Sequence, residues 1–410
     1  MTSRFNVVFP VGKTYAVWNS LTGCFAELSE TEYHALRYGQ AEDIEPWRRE
    51  VFEEKGILIS EPDEMGQFLE SRHIHRQLHP LHFRILTTTA CNARCEYCYE
   101  RGFPIINMDD STALSVAEFI AERYRAHPFG GKVTLEWFGG EPSLNAGSIQ
   151  LISEVLKQKK IPFRSHMTSN GLLLTKAFTA NAPDWNLKSI QITLDAAEQE
   201  YEQIKYFPRG SYEQVLKNID SCLSVGIHVS IRINYAGNKE SVRRLIENLA
   251  GRYSPKRDRP KLYISPIYDA AKSIPGEVMR EIMELNELLI GQGLMAFDEV
   301  YSLSSRDRCF AATPWGFTVL PDGKLVNCSH NISGEQVCGS VWDFDPLNEK
   351  FRSFRSAELV EECYTCALLP ACGGGCPAAQ HGIAKMHRCI PYRNVITDIL
   401  RLRMKNSGLI

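Results

Sequence analysis

From residue 81 to residue 267 the chain repeats one pattern, a short strand-forming run followed by a stretch with apolar residues at helical spacing. Phe83-Arg-Ile-Leu86, Val133-Thr-Leu-Glu-Trp-Phe138, the residues around Arg164 to Thr168, Ser189 to Leu194, Val229 to Tyr235 and Leu262 to Ile267 read as strands. Thr112 to Tyr124, behind acidic Asp109 and Asp110, reads as a helix, as do Val215 to Leu223 and Val242 to Leu249. Strands that alternate with helices favour a parallel sheet, and six such units predict an α/β fold built on a partial (β/α)6 TIM-like barrel. In that architecture the chemistry sits on loops at the carboxyl ends of the strands.

The flanks read differently. Phe5-Asn-Val-Val-Phe9 and Thr14-Tyr-Ala-Val-Trp18, separated by Pro10 and Gly12, predict a hairpin. A helix from about Glu30 follows, with Ser29 as its N-cap, then a helix carrying Trp47, Val51 and Phe52, and a short strand at Gly56-Ile-Leu-Ile59. Residues 1–78 are thus expected to form a small α+β module, 79–300 the barrel and 301–410 a cysteine-rich domain reached through a helical connector from Gly276 to about Leu294. The region from 305 to 390 has little regular periodicity, so its fold is expected to depend on metal. The last helix, from about Val395, reads as an exposed terminus. A formal charge of −3 carries no global nucleic-acid signature, and no run approaches the ~18 apolar residues of a membrane span. No charged, then apolar, leader opens the chain, which reads as cytoplasmic, with neither nucleic acid nor membrane as a partner.

Thirteen cysteines in such a chain point to metal rather than to disulfides. Cys91-Asn-Ala-Arg-Cys95-Glu-Tyr-Cys98 follows directly on the first barrel strand. Three thiolates on one short loop can hold three irons of a cubane and leave the fourth open. Zinc is the competing occupant, but it takes four ligands, and no fourth Cys or His follows within reach of the loop. This spacing, with aromatic Tyr97 before the third cysteine, resembles the radical S-adenosylmethionine (SAM) superfamily. The resemblance implies a 4Fe-4S cluster on Cys91, Cys95 and Cys98 whose open iron chelates SAM, so that an electron from the cluster can cleave the cofactor to a 5′-deoxyadenosyl radical.

Further motifs extend it. Phe138-Gly139-Gly140-Glu141-Pro142 resembles the GGEP segment at which the backbone approaches the methionyl amino group, and glycine alone allows that approach without a side-chain clash. Thr168-Ser169-Asn170-Gly171 resembles the ribose-contacting segment, with Ser169 and Asn170 as hydrogen-bonding groups. Arg232 is similar to an arginine that pairs with the cofactor carboxylate, with a structural ion pair as the alternative. Tyr97, Gly139, Gly140, Glu141, Ser169, Asn170 and Arg232 are therefore the expected cofactor contacts. Asp195 ends a strand where relatives carry Asp-Gly; Ala196 replaces the glycine here, which leaves its role open.

A second ordered set runs Cys309, Gly323-x4-Cys328, Cys363-x2-Cys366-x5-Cys372-x3-Cys376 and Cys389. It resembles the SPASM extension of radical enzymes that modify peptides and proteins, with a zinc ribbon as the competing reading. The resemblance implies two auxiliary 4Fe-4S clusters, three clusters in all: an outer one on Cys363, Cys366, Cys372 and Cys389, and an inner one on Cys309, Cys328 and Cys376. The inner set is one thiolate short, and 301–305 supplies none. Cys338 could complete it, or be buried as a small hydrophobe, or a substrate cysteine could bind the free iron. Cys222 lies on an apolar helical stripe and reads as core, while Cys24 has no identifiable partner.

The SPASM-like set points to a peptide or protein substrate. Sulfatase maturases of this architecture carry an acidic residue after the inner cysteine that follows Gly-x4; Ser329 stands there, which counts against an oxidase needing a base at that point. Residues 1–75 resemble the winged-helix-like, leader-binding (RRE-like) module of enzymes that mature ribosomally made peptides, where an edge strand could pair with the leader. The competing reading is a hairpin that merely caps the barrel. The resemblance as a whole implies a precursor-peptide maturase that forms a Cys thioether of the ranthipeptide or sactipeptide type, fed by a flavodoxin- or ferredoxin-like donor. Carbon–carbon crosslinking, residue oxidation or epimerisation, and a noncatalytic Fe-S sensor or electron carrier are the alternatives.

Overall fold

The computed structural model describes residues 1–60, 63–254, 258–267, 275–296, 309–356, 359–382 and 389–406. The expected boundary near residue 300 and the stretch 301–305 lie outside these.

At the N-terminus, β1 (Asn6–Val11), β2 (Thr14–Asn19) and β3 (Phe25–Leu28) form an antiparallel sheet in the order β1-β2-β3. Helices α1 (Glu30–Tyr38) and α2 (Pro46–Glu54) cover one of its faces around Val17, Leu28, Leu36, Ile44 and Phe52. Ser29 caps α1 in a reciprocal box: its Oγ accepts from the Glu32 amide, and the Glu32 carboxylate accepts from the Ser29 amide. The other face carries Phe9, Ala16 and Trp18 into the core of the barrel. The strand expected at 56–59 is reduced to one bridge between Leu58 and Thr2. Helix α3 (Glu64–Gln77), with Asp63 as cap, then leads to the barrel.

The six expected strands are present as β4 (His82–Thr88), β5 (Val133–Gly139), β6 (Phe163–Ser169), β7 (Leu187–Thr193), β8 (His228–Tyr235) and β9 (Lys261–Pro266), all parallel and in sequence order. They are joined through α4 (Asp110–Ala126), α5 (Ala146–Gln158), α6 (Lys176–Thr179), α7 (Glu198–Lys205), α8 (Ser211–Ser224) and α9 (Lys239–Tyr253), with α10 (Gly276–Gly291) after β9. Phe83, Ile85, Leu135, Trp137, Ile190, Ile192, Val229 and Ile231 are buried with Val116, Ile120, Ile149, Val215 and Leu245 of the helices. That burial is why the strands alternate. Cys222 is buried in the same core, as the helical stripe predicts.

Two features depart from expectation. The cysteine-rich region contains β10 (Gly316–Val319), β11 (Lys324–Val326) and β12 (Val337–Ser340), and β10 pairs in parallel with β4, Gly316 opposite His82 and Val319 opposite Ile85. Among the described residues the sheet is therefore nine-stranded, in the order β12-β11-β10-β4-β5-β6-β7-β8-β9. The last helix, Ile396–Asn406, is not an exposed terminus: Ile396, Ile399, Leu400 and Met404 join the main core. Its apolar residues fall at i, i+3, i+4 and i+8, and this stripe decides the packing despite the polar residues between. No helix among the described residues is long and apolar enough to cross a membrane.

Candidate active site

On the face of the sheet opposite the helices the strands carry polar side chains at alternate positions. Arg84 of β4 donates to both carboxylate oxygens of Glu136 on β5, Nε to Oε2 at 2.9 Å and Nη2 to Oε1 at 3.0 Å. His82 Nε2 lies 3.5 Å from the same carboxylate. His166 meets Ser189 at 2.6 Å, and Tyr263 donates to Gln191 at 2.5 Å. Arg232 donates to Asn234 at 2.9 Å and to Ser265 at 3.1 Å. Among the described residues Arg232 has no carboxylate partner. Burial opposes ionisation of Glu136, but the nearby His82 ring and the charge and hydrogen bonds of Arg84 outweigh it and hold the carboxyl at about 2. Because this value lies below the ordinary carboxylate one, the pair stabilises the fold fully above about pH 4.5, and that contribution fades as the pH falls toward 2. Glu136→Gln is expected to lower the unfolding temperature at neutral pH and to flatten its dependence on acid, as followed by circular dichroism of the metal-free protein.

The cysteine loop leaves the carboxyl end of β4. Cys95 is buried, and Cys91 and Cys98 are half-buried. The three thiols are near enough to affect one another's ionisation, and burial pushes Cys91 up to about 11 and Cys98 in the same direction. Metal-free, these two are thiols at neutral pH, and binding iron must displace their protons. Three sulfur donors with no fourth Cys or His on the loop suit a cubane with one open iron better than zinc, which takes four ligands.

The segment after β5 packs under this loop. Gly140 N donates to Thr88 O at 3.0 Å and Glu141 N to Ala90 O at 2.8 Å. A Cβ on Gly139, whose φ is +121°, would stand 2.1 Å from Thr88 O, and one on Gly140 would stand 2.3 Å from Ala90 O. Both glycines are therefore required by the backbone of the cysteine loop itself. Glu141 is fully buried; its carboxylate accepts from the Ser143 amide at 3.1 Å, Ser143 Oγ at 2.5 Å, Ser169 Oγ at 2.9 Å and the Asn170 amide at 2.7 Å. Burial raises its proton affinity while these donors counter it. Asn170 Nδ2 donates to Asn92 Oδ1 at 2.7 Å and lies 4.0 Å from Cys91 Sγ. Gly139, Gly140, Glu141, Ser169 and Asn170 thus meet beneath Cys91. Asn92 was not anticipated; only its position between motif cysteines could have drawn attention to it.

Behind the loop, Tyr97 donates to Asp195 Oδ2 at 2.6 Å, and Lys205 Nζ lies 2.7 Å from both Asp195 Oδ2 and Tyr97 Oη. Asp195 and Lys205 are 2% and 3% exposed at their side chains. Burial would lower the Lys205 pKa, but the Asp195 carboxylate outweighs it and the shift is upward. Lys205 was missed because it has no motif; the fold alone brings it to Tyr97.

The second cysteine set falls into two groups. Cys363, Cys366, Cys372 and Cys389 all line one small pocket, and Arg393 donates to Cys389 Sγ at 3.1 Å. Cys309, Cys328 and Cys376 are near enough to perturb one another, and Cys328 and Cys376 pack with Phe310, Phe354 and Ala378. Ser329, next to Cys328, accepts from Arg84 at 2.9 Å, so this group adjoins the polar face of the barrel. Tyr99 of the first loop stacks on His330 at 4.2 Å. Cys338 is buried in β12 and donates to Leu325 O at 3.4 Å.

A parallel α/β barrel with a three-thiol loop at its carboxyl end defines the radical SAM class, and residues 85–249 match the family model described as the Radical SAM superfamily; this part of the chain is a radical SAM domain. That class implies SAM and a 4Fe-4S cluster. The chain is 23% identical over 366 residues, 78% of its length and 86% of the relative's, to a serine-type anaerobic sulfatase-maturating enzyme of Klebsiella aerogenes. It shares its fold with native anSMEcpe with bound AdoMet and Cp18Cys peptide, at a TM-score of 0.55 and 17% identity over 73% of this chain and 89% of that one. It also shares its fold with Streptococcus suis SuiB bound to precursor peptide SuiA, at 0.53 and 16% identity over 92% and 95%.

Proposed function

We propose that the protein is a radical SAM maturase that crosslinks a ribosomally made precursor peptide, forming a Cys thioether. The observation that carries this reading is the pairing of β10 with β4, which brings Cys328 and Ser329 to Arg84 on the polar face of the barrel that also bears the three-thiol loop. A second thiol group beside the first suits chemistry on a substrate sulfur. Two of the solved neighbours hold peptides.

Cys91, Cys95 and Cys98 would hold the SAM-binding cluster, Cys363, Cys366, Cys372 and Cys389 an outer auxiliary cluster, and Cys309, Cys328 and Cys376 an inner one. When bound, the first cluster and SAM supply a carbon radical that removes hydrogen from the peptide. The chain's own part is to aim and exclude water. Arg84 and Glu136, fixed to each other, offer rigid polar contacts to the peptide; Ser329 offers a hydroxyl where an oxidase would need a carboxylate. The N-terminal sheet would receive the leader at the β3 edge, whose Phe25 and Glu27 carbonyls are met by Lys55 and Arg48 side chains that an incoming backbone could replace. Electrons would come from a flavodoxin- or ferredoxin-like protein.

The test is coexpression with a cysteine-containing short peptide encoded beside the gene, then mass spectrometry. A thioether predicts loss of a hydrogen pair for each crosslink together with a cysteine that no longer alkylates. The same loss with every cysteine free would sink the thioether reading in favour of carbon–carbon bonding or dehydrogenation.

A further inference from the structure

We infer that Lys205 and Asp195 form a buried charge pair that positions the three-thiol loop and sets the reduction potential of the cluster it holds. The inference rests on the reading that the loop binds iron. The loop, the carboxyl end of α7 and Asp195 are joined by a set of contacts, among them Lys205 Nζ to Tyr97 Oη at 2.7 Å. Arg94 N donates to Lys205 O at 3.0 Å, Tyr206 Oη to Glu96 Oε1 at 3.0 Å, and Lys205 Nζ and Tyr97 Oη each engage Asp195. Asp195 Oδ1 also accepts from Asn234 N on β8 at 3.3 Å, so the pair ties the loop to the strand that bears Arg232. Tyr206 takes a left-handed conformation with φ of 57°, which ends α7 at the residue where these contacts gather.

The electrostatic part follows from burial. Lys205 and Asp195 are both bonded to the Tyr97 hydroxyl, on the residue that lies between Cys95 and Cys98 in the chain. Little water screens either charge, so each acts on the cluster more strongly than a surface charge would. A cluster gains negative charge on reduction. A fixed cation stabilises the reduced form and a fixed anion opposes it. Removing the ammonium leaves an uncompensated carboxylate, and removing the carboxylate leaves an uncompensated ammonium. The two changes therefore shift the potential in opposite directions.

The experiment is a redox titration of the anaerobically reconstituted full-length protein, following the part of the reduced-cluster EPR signal that changes when SAM is added. Lys205→Met is expected to shift that potential negative and Asp195→Asn to shift it positive, each by at least the 59 mV that a tenfold change in a one-electron equilibrium represents. Lys205→Arg, which keeps the charge, is expected to return most of the Lys205→Met shift. Both variants at the wild-type potential, or both moved in the same direction, would overturn the charge-pair role. A Lys205→Met protein that fails to load iron while Lys205→Arg and Asp195→Asn load and titrate at the wild-type potential overturns it as well. Wild-type protein that shows no SAM-sensitive signal overturns the iron reading of the loop itself, and this inference with it.

Discussion

Replacing Cys95 by alanine is expected to lower formation of 5′-deoxyadenosine from SAM by more than about 100-fold, since outer-shell changes alone cost metal sites 10–100-fold. Cys95 is the buried member of the three-thiol loop, and alanine leaves no donor to replace it. The C-terminal thiols stand in separate groups, around their own pocket and beside Phe310 and Phe354, so the variant is expected to keep whatever iron the proposed auxiliary sites bind. Iron analysis and chromatographic measurement of 5′-deoxyadenosine on the same sample check both halves. Undiminished 5′-deoxyadenosine formation would remove the loop from the chemistry.

Gly140→Ala is the second large effect. A Cβ there would stand 2.3 Å from Ala90 O and 2.6 Å from Thr89 O, and neither carbonyl can swing aside as a flexible side chain would. The Glu141 amide bonds to the same Ala90 carbonyl, and Glu141 in turn anchors Ser169 and Asn170. Moving the loop therefore breaks the network beneath Cys91. A cost of roughly 3 kcal/mol is expected from overpacking alone, with loss of the buried bonds in addition. Denaturant unfolding of the metal-free protein reads this cost apart from iron loss. A variant as stable as wild type, with normal iron loading, would show that the loop accommodates the methyl group.

The barrel strands were legible because each buries one face, and that burial imposes a period of two on runs such as Ser189 to Leu194. The helix at Glu30 was legible through Ser29 and Glu32, which act within one turn. The strands β10 to β12 were not, because runs of three or four residues among Gly, Pro and Asp acquire their pairing only when β4 offers an edge. In the site, motif spacing placed the cysteines and the glycine turn. It could not reveal what the glycines avoid, since Thr88 O and Ala90 O are defined only after folding. Nor could it find Lys205, which is distant in sequence from Tyr97 and meets it only in the folded chain. Arg84 and Glu136 were visible as polar residues in strands, but their pairing requires the parallel register that sets residue 84 opposite 136.

The most direct measurement is EPR of the reduced, reconstituted protein with and without SAM, set beside the Cys95→Ala variant. A 4Fe-4S signal is expected whose shape changes on addition of SAM and whose SAM-sensitive part is missing in the variant. Zinc in the loop, or a cluster signal indifferent to SAM, would contradict it.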